Sequence, residues 1–240
     1  RFLFGKKVPV KITFGQYDTK IMNRILSLGF SPFLILATDS LILILLNTIL
    51  QKYGGKSQGD MFITCATIAQ SYLLLITSSM IGISGGTQAI LSYNYGARRA
   101  DRVKDAERNI LGVMLIFTTI MFLLSRLVPR YFVLLFTSDP QYISFSVWAI
   151  HTYTLMIIPL SFQYVFVDGL TALDRPKTGL ALSVTRKSLF VLSAAILPVF
   201  FDAKAAFFAE PVADGVCSVL STVVFLLLIN RHLQKRCQTV

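Results

Sequence analysis

Five ionisable residues lie in otherwise apolar sequence: Asp39, Asp168, Arg186, Glu210 and Asp214. An unpaired charge in hydrocarbon costs on the order of 3 kcal/mol, so such groups face a protein interior or a wet cavity and mark ion or substrate paths. Asp39 follows Arg24 by fifteen residues, which places it roughly 20 Å along a helix. It is the leading candidate ligand for a coupling cation or a cationic substrate, with hydrogen bonding to a neighbouring helix as its structural reading. Glu210 and Asp214 are spaced i, i+4 and share one helical face. With Pro211 between them to loosen the helix, they form a second candidate cation or proton site, Asp214 being the deeper.

Asp168 precedes Arg175 by seven residues and Arg186 follows Pro176 by ten. The two stand at similar depth on consecutive antiparallel segments, which predicts a pair, direct or through water, with a structural or gating role, the alternative being that Arg186 snorkels to the cytoplasmic interface. Among uncharged polar residues, Gln70 and Gln163 are candidate cavity ligands. Asn47 and Gln88 fit helix–helix hydrogen bonding. His151 suits a hydrogen-bonded structural role, and His232 a solvated tail.

The elements carrying these residues are long apolar runs. No charged residue occurs between Met61 and Tyr95, and a bilayer core needs about 20 apolar residues per helical crossing. Six spans are predicted, at about 25–50, 61–95, 110–128, 142–170, 178–200 and 205–230. The second is expected to be one long helix with a local break at Gly82–Gly86, where the glycines allow close helix packing. A Gly-rich turn at Tyr53–Gly55 and a polar loop over 97–109 separate the early spans. Residues 1–24 read as a basic linker and 231–240 as a tail. The chain opens on Arg1, which reads as a fragment lacking its upstream part. The expected class is all-α and polytopic, with 54% hydrophobic and 15% charged residues among 240 and a mean hydropathy of +0.65.

Charge sets the expected orientation. Of the Lys and Arg residues, 18 fall in 1–24, 97–109, 175–187 and the tail. Only Lys52, Lys56, Arg126, Arg130 and Lys204 fall on the opposite side. The positive-inside bias then puts both ends in the cytoplasm. The same distribution assigns the net charge of +11 to lipid head groups rather than nucleic acid.

No enzyme is indicated: HExxH, GxSxG and Walker patterns are absent. Cys65, Cys217 and Cys237 form no CxxC pair, so neither a disulfide framework nor a metal site is expected.

Five motifs in order extend the reading. They are Gly82-Ile-Ser-Gly-Gly-Thr-Gln-Ala-Ile-Leu-Ser-Tyr-Asn-Tyr-Gly-Ala97, Leu135-Phe-Thr-Ser-Asp-Pro140, Leu170-Thr-Ala-Leu-Asp-Arg-Pro-Lys177, Arg186-Lys-Ser-Leu-Phe190 and Ala209-Glu-Pro-Val-Ala-Asp214. Together they resemble one lobe of the multidrug and toxic compound extrusion (MATE) transporters, of the MepA/DinF-like kind. The resemblance implies the C-terminal six-helix lobe of a twelve-helix inner-membrane exporter, partnered by an N-terminal lobe. It implies exchange of Na⁺ or H⁺ for small organic cations or drugs, with no other cofactor. Where NorM-type members carry a cation-binding carboxylate two residues after a proline, this chain has Ser161 after Pro159. The alternatives are a lipid-linked oligosaccharide flippase of the same superfamily, which needs deep cationic residues, and a non-transporting membrane scaffold, in which buried acids have no use.

Overall fold

The computed structural model describes residues 18–238, with the side chains of 24, 25, 27–37, 39, 56, 57 and 230–238 outside the description. The chain divides into two compact units, Arg1–Ile44 and Leu45–Val240. In the first unit the described backbone is the start of helix α1 (Thr19–Gly96). Asp18 Oδ1 accepts from Lys20 N there at 2.7 Å. Asp39 lies on this stretch, and its side chain is outside the described residues.

The second unit holds the rest of α1, then α2 (Ala100–Leu127), α3 (Pro129–Val133), α4 (Pro140–Tyr153), α5 (Ile157–Ala172), α6 (Pro176–Phe200), a 3-10 helix (Ala203–Phe208) and α7 (Ala209–Gln238). Among the described residues there is no strand. Local chemistry explains the boundaries. Asp139 caps α4 by accepting from Gln141 N at 2.8 Å, and Pro140 fills the first helical position, where no N–H is needed. Asp174, at φ 64°, turns the chain between α5 and α6.

Lipid is the solvent that fits this sequence. Val212, Val216, Val219, Val223 and Leu226 of α7 are exposed along one stripe, while Asp214, Ser218, Ser221 and Phe225 are buried along the other. The outside is greasy and the inside polar, the reverse of a water-soluble helix. Exposed Val113, Ile116, Ile120, Leu123 and Leu127 repeat the pattern on α2. Four segments are long and apolar enough to cross a bilayer, namely Gln58–Gly96, Ala100–Leu127, Pro176–Phe200 and Ala203–Ile229, and α4 with α5 make a fifth as a bent pair.

Three sequence expectations are corrected. The predicted single span at 142–170 is α4 and α5, bent by 47°. Pro159 has no N–H to give to the carbonyl four residues back, so the helix breaks ahead of it. Thr154 holds the break, its Oγ1 lying 2.7 Å from Ile150 O and 3.1 Å from Ser125 Oγ. The expected loop over 97–109 shrinks to residues 97–99, and the charged residues after it form the first turns of α2. Gly82–Gly86 is unbroken helix, and a Cβ on Gly82, Gly85 or Gly86 would meet nothing within 4 Å, so close packing among the described residues does not explain these glycines. The real discontinuity in α1 is at Gly55, whose φ of 64° only glycine adopts readily.

Gly54 lets the chain close on itself beside that kink. A Cβ there would stand 2.8 Å from Gly59 Cα, a backbone atom with no side-chain freedom to yield. Gly54→Ala is expected to destabilise the fold by about 1–3 kcal/mol. Thermal unfolding in detergent checks this, and an unchanged midpoint would show that the kink relaxes freely.

α5 is the central helix, packed against α2, α6 and α7. Phe166 stacks on Phe225 of α7 with centroids 4.3 Å apart. Elsewhere in the unit, Phe207 of the 3-10 helix is buried against Phe145, Trp148 and Tyr153, with centroids 5.3, 5.5 and 5.9 Å away. The first of these aromatic contacts joins α7 to α5, and the second seats the 3-10 helix that leads into α7 against α4.

Candidate functional site

The beginning of α7 carries the densest buried charge in the second unit. Glu210 and Asp214 sit one turn apart and both point at α6. Arg186 Nε donates to Asp214 Oδ1 at 2.7 Å, and its Nη2 donates to Glu210 Oε1 at 2.8 Å. Asp214 is fully buried, while the Arg186 and Glu210 side chains are 20% and 15% exposed. Pro211 is in the first turn of α7, where an N–H has no intrahelical partner, so it does not loosen the helix as its sequence position suggested. The 3-10 helix and Phe207 position this turn.

The expected Asp168–Arg186 pair does not form. Arg186 spends its ion pairs on Glu210 and Asp214, and Asp168 instead accepts from Ser84 Oγ of α1. The reason is register. Arg186 lies fourteen residues before the end of α6 at Phe200, and Asp214 eleven residues after Ala203. The shared depth is set by the turn at 201–202, not by the one at 174–175 from which the sequence reading counted. Counting from both ends of the helix would have exposed the competing partners.

Two aromatic hydroxyls extend the cluster. Tyr164 of α5 lies within electrostatic reach of Arg186, Asp214 and Glu210. The buried Tyr153 of α4 hydrogen-bonds with Gln70 of α1 and feels the charge of Glu210. Gln70 therefore joins the site indirectly. Gln163 is buried on α5, and its Oε1 has no protein partner among the described residues.

Chemically the cluster is one guanidinium between two carboxylates. With both acids ionised it carries one surplus negative charge, away from water. Asp214 Oδ2 has no protein partner among the described residues. That free oxygen and the surplus charge suit a proton or a monovalent cation. No group of three or more His, Cys, Asp or Glu side chains able to hold a metal occurs among the described residues.

Ser161 has a different task. Its Oγ lies 2.8 Å from Thr118 Oγ1 of α2, and both residues are fully buried. The pair bridges α2 and α5 rather than lining a cation path. Ser161→Ala is expected to lower stability by about 0.6 kcal/mol, the usual worth of an interhelical hydrogen bond in a membrane. Transport should be unaffected, and an efflux defect in folded Ser161→Ala would contradict the bridging role.

Comparison with known proteins places the geometry in context. The chain matches the family model described as MatE over residues 36–197. A curated relative from Shewanella oneidensis, named as an FAD transporter, is 26% identical over 136 residues, covering 57% of this chain and 29% of the relative. An inward-facing structure of a multidrug resistance MATE family transporter superposes with a TM-score of 0.84 at 16% identity, covering 100% of this chain and 55% of that one. An outward-facing structure of a transporter so described gives 0.79 at 17% identity, covering 98% and 52%. The chain thus spans about half the length of the solved transporters it matches.

Proposed function

Because this chain belongs to the MatE family of membrane transporters, we propose that it forms one lobe of a secondary exporter in which the Arg186–Glu210–Asp214 cluster senses a coupling cation. The other lobe supplies the opposite wall of a central path, and the two rock between inward and outward forms. A proton or Na⁺ that binds the cluster more tightly in one form shifts the balance between them. Cytoplasmic placement of both chain ends in an inner membrane goes with this reading, supported by the 18 to 5 distribution of basic residues.

The single observation carrying the proposal is the excess acid around one partly buried arginine, with an Asp214 oxygen that has no protein partner among the described residues. A purely structural ion pair needs one acid, not two. The similar superposition on inward-facing and outward-facing relatives, with TM-scores of 0.84 and 0.79, supports a lobe that moves as a body.

Cargo of positive charge is the favoured reading, because the buried acids of the cluster outnumber its arginine. The name of the Shewanella relative favours a second, a flavin dinucleotide. An anionic cargo would need a free cation at the cluster, and there both acids already engage Arg186. Reconstitution of the full-length protein in liposomes separates the two. Under an imposed proton or Na⁺ gradient, export of a cationic dye and not of FAD is the expected result. Gradient-driven FAD export without dye export would reverse the cargo assignment. Transport of neither under any gradient would end the exporter reading.

A further inference from the structure

A second acidic pair lies at the opposite end of α5 from Pro159, outside the cluster above. Glu107 of α2 is 5% exposed, and neither of its carboxyl oxygens has a protein partner among the described residues. It presses against the backbone of α5. A Cβ placed on Gly169 would stand 3.0 Å from Glu107 Cδ, so the carboxyl group occupies space that only a glycine leaves open. The adjacent residue is Asp168, whose charge acts on Glu107.

Hydrogen-bond donors are shared unequally between the two acids. Ser84 Oγ reaches two acceptors, Met80 O at 3.1 Å and Asp168 Oδ2. A hydroxyl has one proton to give. Asp168 accepts it, so Asp168 has a donor, whereas neither oxygen of Glu107 has a protein partner among the described residues. Gln88 is the other α1 residue within hydrogen-bonding reach of Asp168. A buried carboxyl with no donor, beside a second, partly buried acid, is the arrangement in which a proton is retained, because adjacent like charges out of water are costly.

We propose that Glu107 and Asp168 together form a proton-binding site, separate from the Arg186 cluster, which takes up and releases its proton through the cleft beside α2. That cleft, of about 290 Å³, is lined by Lys104, Glu107 and Arg108 of α2, Phe166 of α5, and Phe225 and Ile229 of α7. The charged groups facing the pair are accordingly Lys104 and Arg108 on α2. The lining residues from α5 and α7 are apolar, and Ser84 and Gln88 from α1 are uncharged. The two cations at the mouth favour release of the proton, and the buried walls favour its retention. Release leaves a carboxylate pair facing those cations.

The proton is visible as the carbonyl stretch of a protonated carboxylic acid in infrared difference spectra of the full-length protein, recorded against pH. The expected result is a band that titrates in the wild type and is lost in both Glu107→Gln and Asp168→Asn. The same band should survive in Glu210→Gln, which alters only the other cluster, so the two sites fail or succeed separately. Glu107→Gln copies the neutral acid and is expected to fold and to melt no lower than the wild type. Failure of Glu107→Gln to fold would mean that the ionised form is the native one, and would overturn the proposal. Loss of the wild-type band on replacing KCl with NaCl at fixed pH would identify the occupant as Na⁺ and overturn it too. So would persistence of the band in the Glu107→Gln/Asp168→Asn double variant.

Discussion

Arg186→Met in the full-length protein is expected to destabilise the fold by about 3–5 kcal/mol, the cost of stranding buried charges by removing their partner. The variant deletes both guanidinium bonds, at 2.7 and 2.8 Å, and leaves Glu210 and Asp214 one helical turn apart with nothing between them. Asp214 has no exposed surface through which water could compensate. The two acids can be neutralised with it. Arg186→Met/Glu210→Met/Asp214→Leu removes every charge and should recover most of the loss, since an apolar interior of similar volume is commonly as stable as a buried ion triad. Thermal unfolding of the detergent-solubilised protein measures both. Wild-type stability in the single variant would mean that Arg186 reaches the interface and its bonds to α7 are dispensable. A triple variant as unstable as the single one would shift the explanation from charge to packing.

The sequence reveals the medium and the helices more readily than the partners. The charge-free run from Met61 to Tyr95 and the basic residues that punctuate the apolar segments identify bilayer-crossing helices because both depend on local composition alone. Glu210 and Asp214 were legible as one unit because i, i+4 spacing is a property of a single helix. Arg186 was seen as a buried charge but given to Asp168, since a sequence ranks neighbours by order along the chain and the real partner lies across the next turn. Glu107 was missed for a related reason. It stands among Lys104, Asp105 and Arg108 and reads as part of a solvated charged loop. Only the continuation of α2 through that stretch, with Gly169 making room, turns it inward. The missing N–H of Pro159 accounts for the break between α4 and α5 that the sequence reading ran through as one span, and no pattern in the sequence signalled that Gly82–Gly86 would stay helical and open.

Glu210→Gln is expected to separate folding from coupling, and it gives the largest predicted effect on transport. Gln keeps the shape of Glu and an oxygen that can still accept from Arg186 Nη2, now 2.8 Å from Glu210 Oε1. The remaining Arg186–Asp214 pair, at 2.7 Å, is neutral as a unit, so the fold loses no counter-ion. What disappears is the surplus negative charge that makes the cluster attractive to a proton or Na⁺. A ligand that no longer distinguishes two conformations cannot shift their populations, however steep its gradient. In proteoliposomes, the ratio of efflux with an imposed cation gradient to efflux without one should therefore fall to about 1. Protein yield and melting temperature should stay at wild-type values. Asp214→Asn should show the same uncoupling together with reduced stability, because the Asn places a new amide N–H group in a site with no exposure and no acceptor prepared for it. If Glu210→Gln retained the full gradient response, the cluster would be a structural lock between α6 and α7. The coupling step would then have to be sought at another acid, with Asp39 first among them.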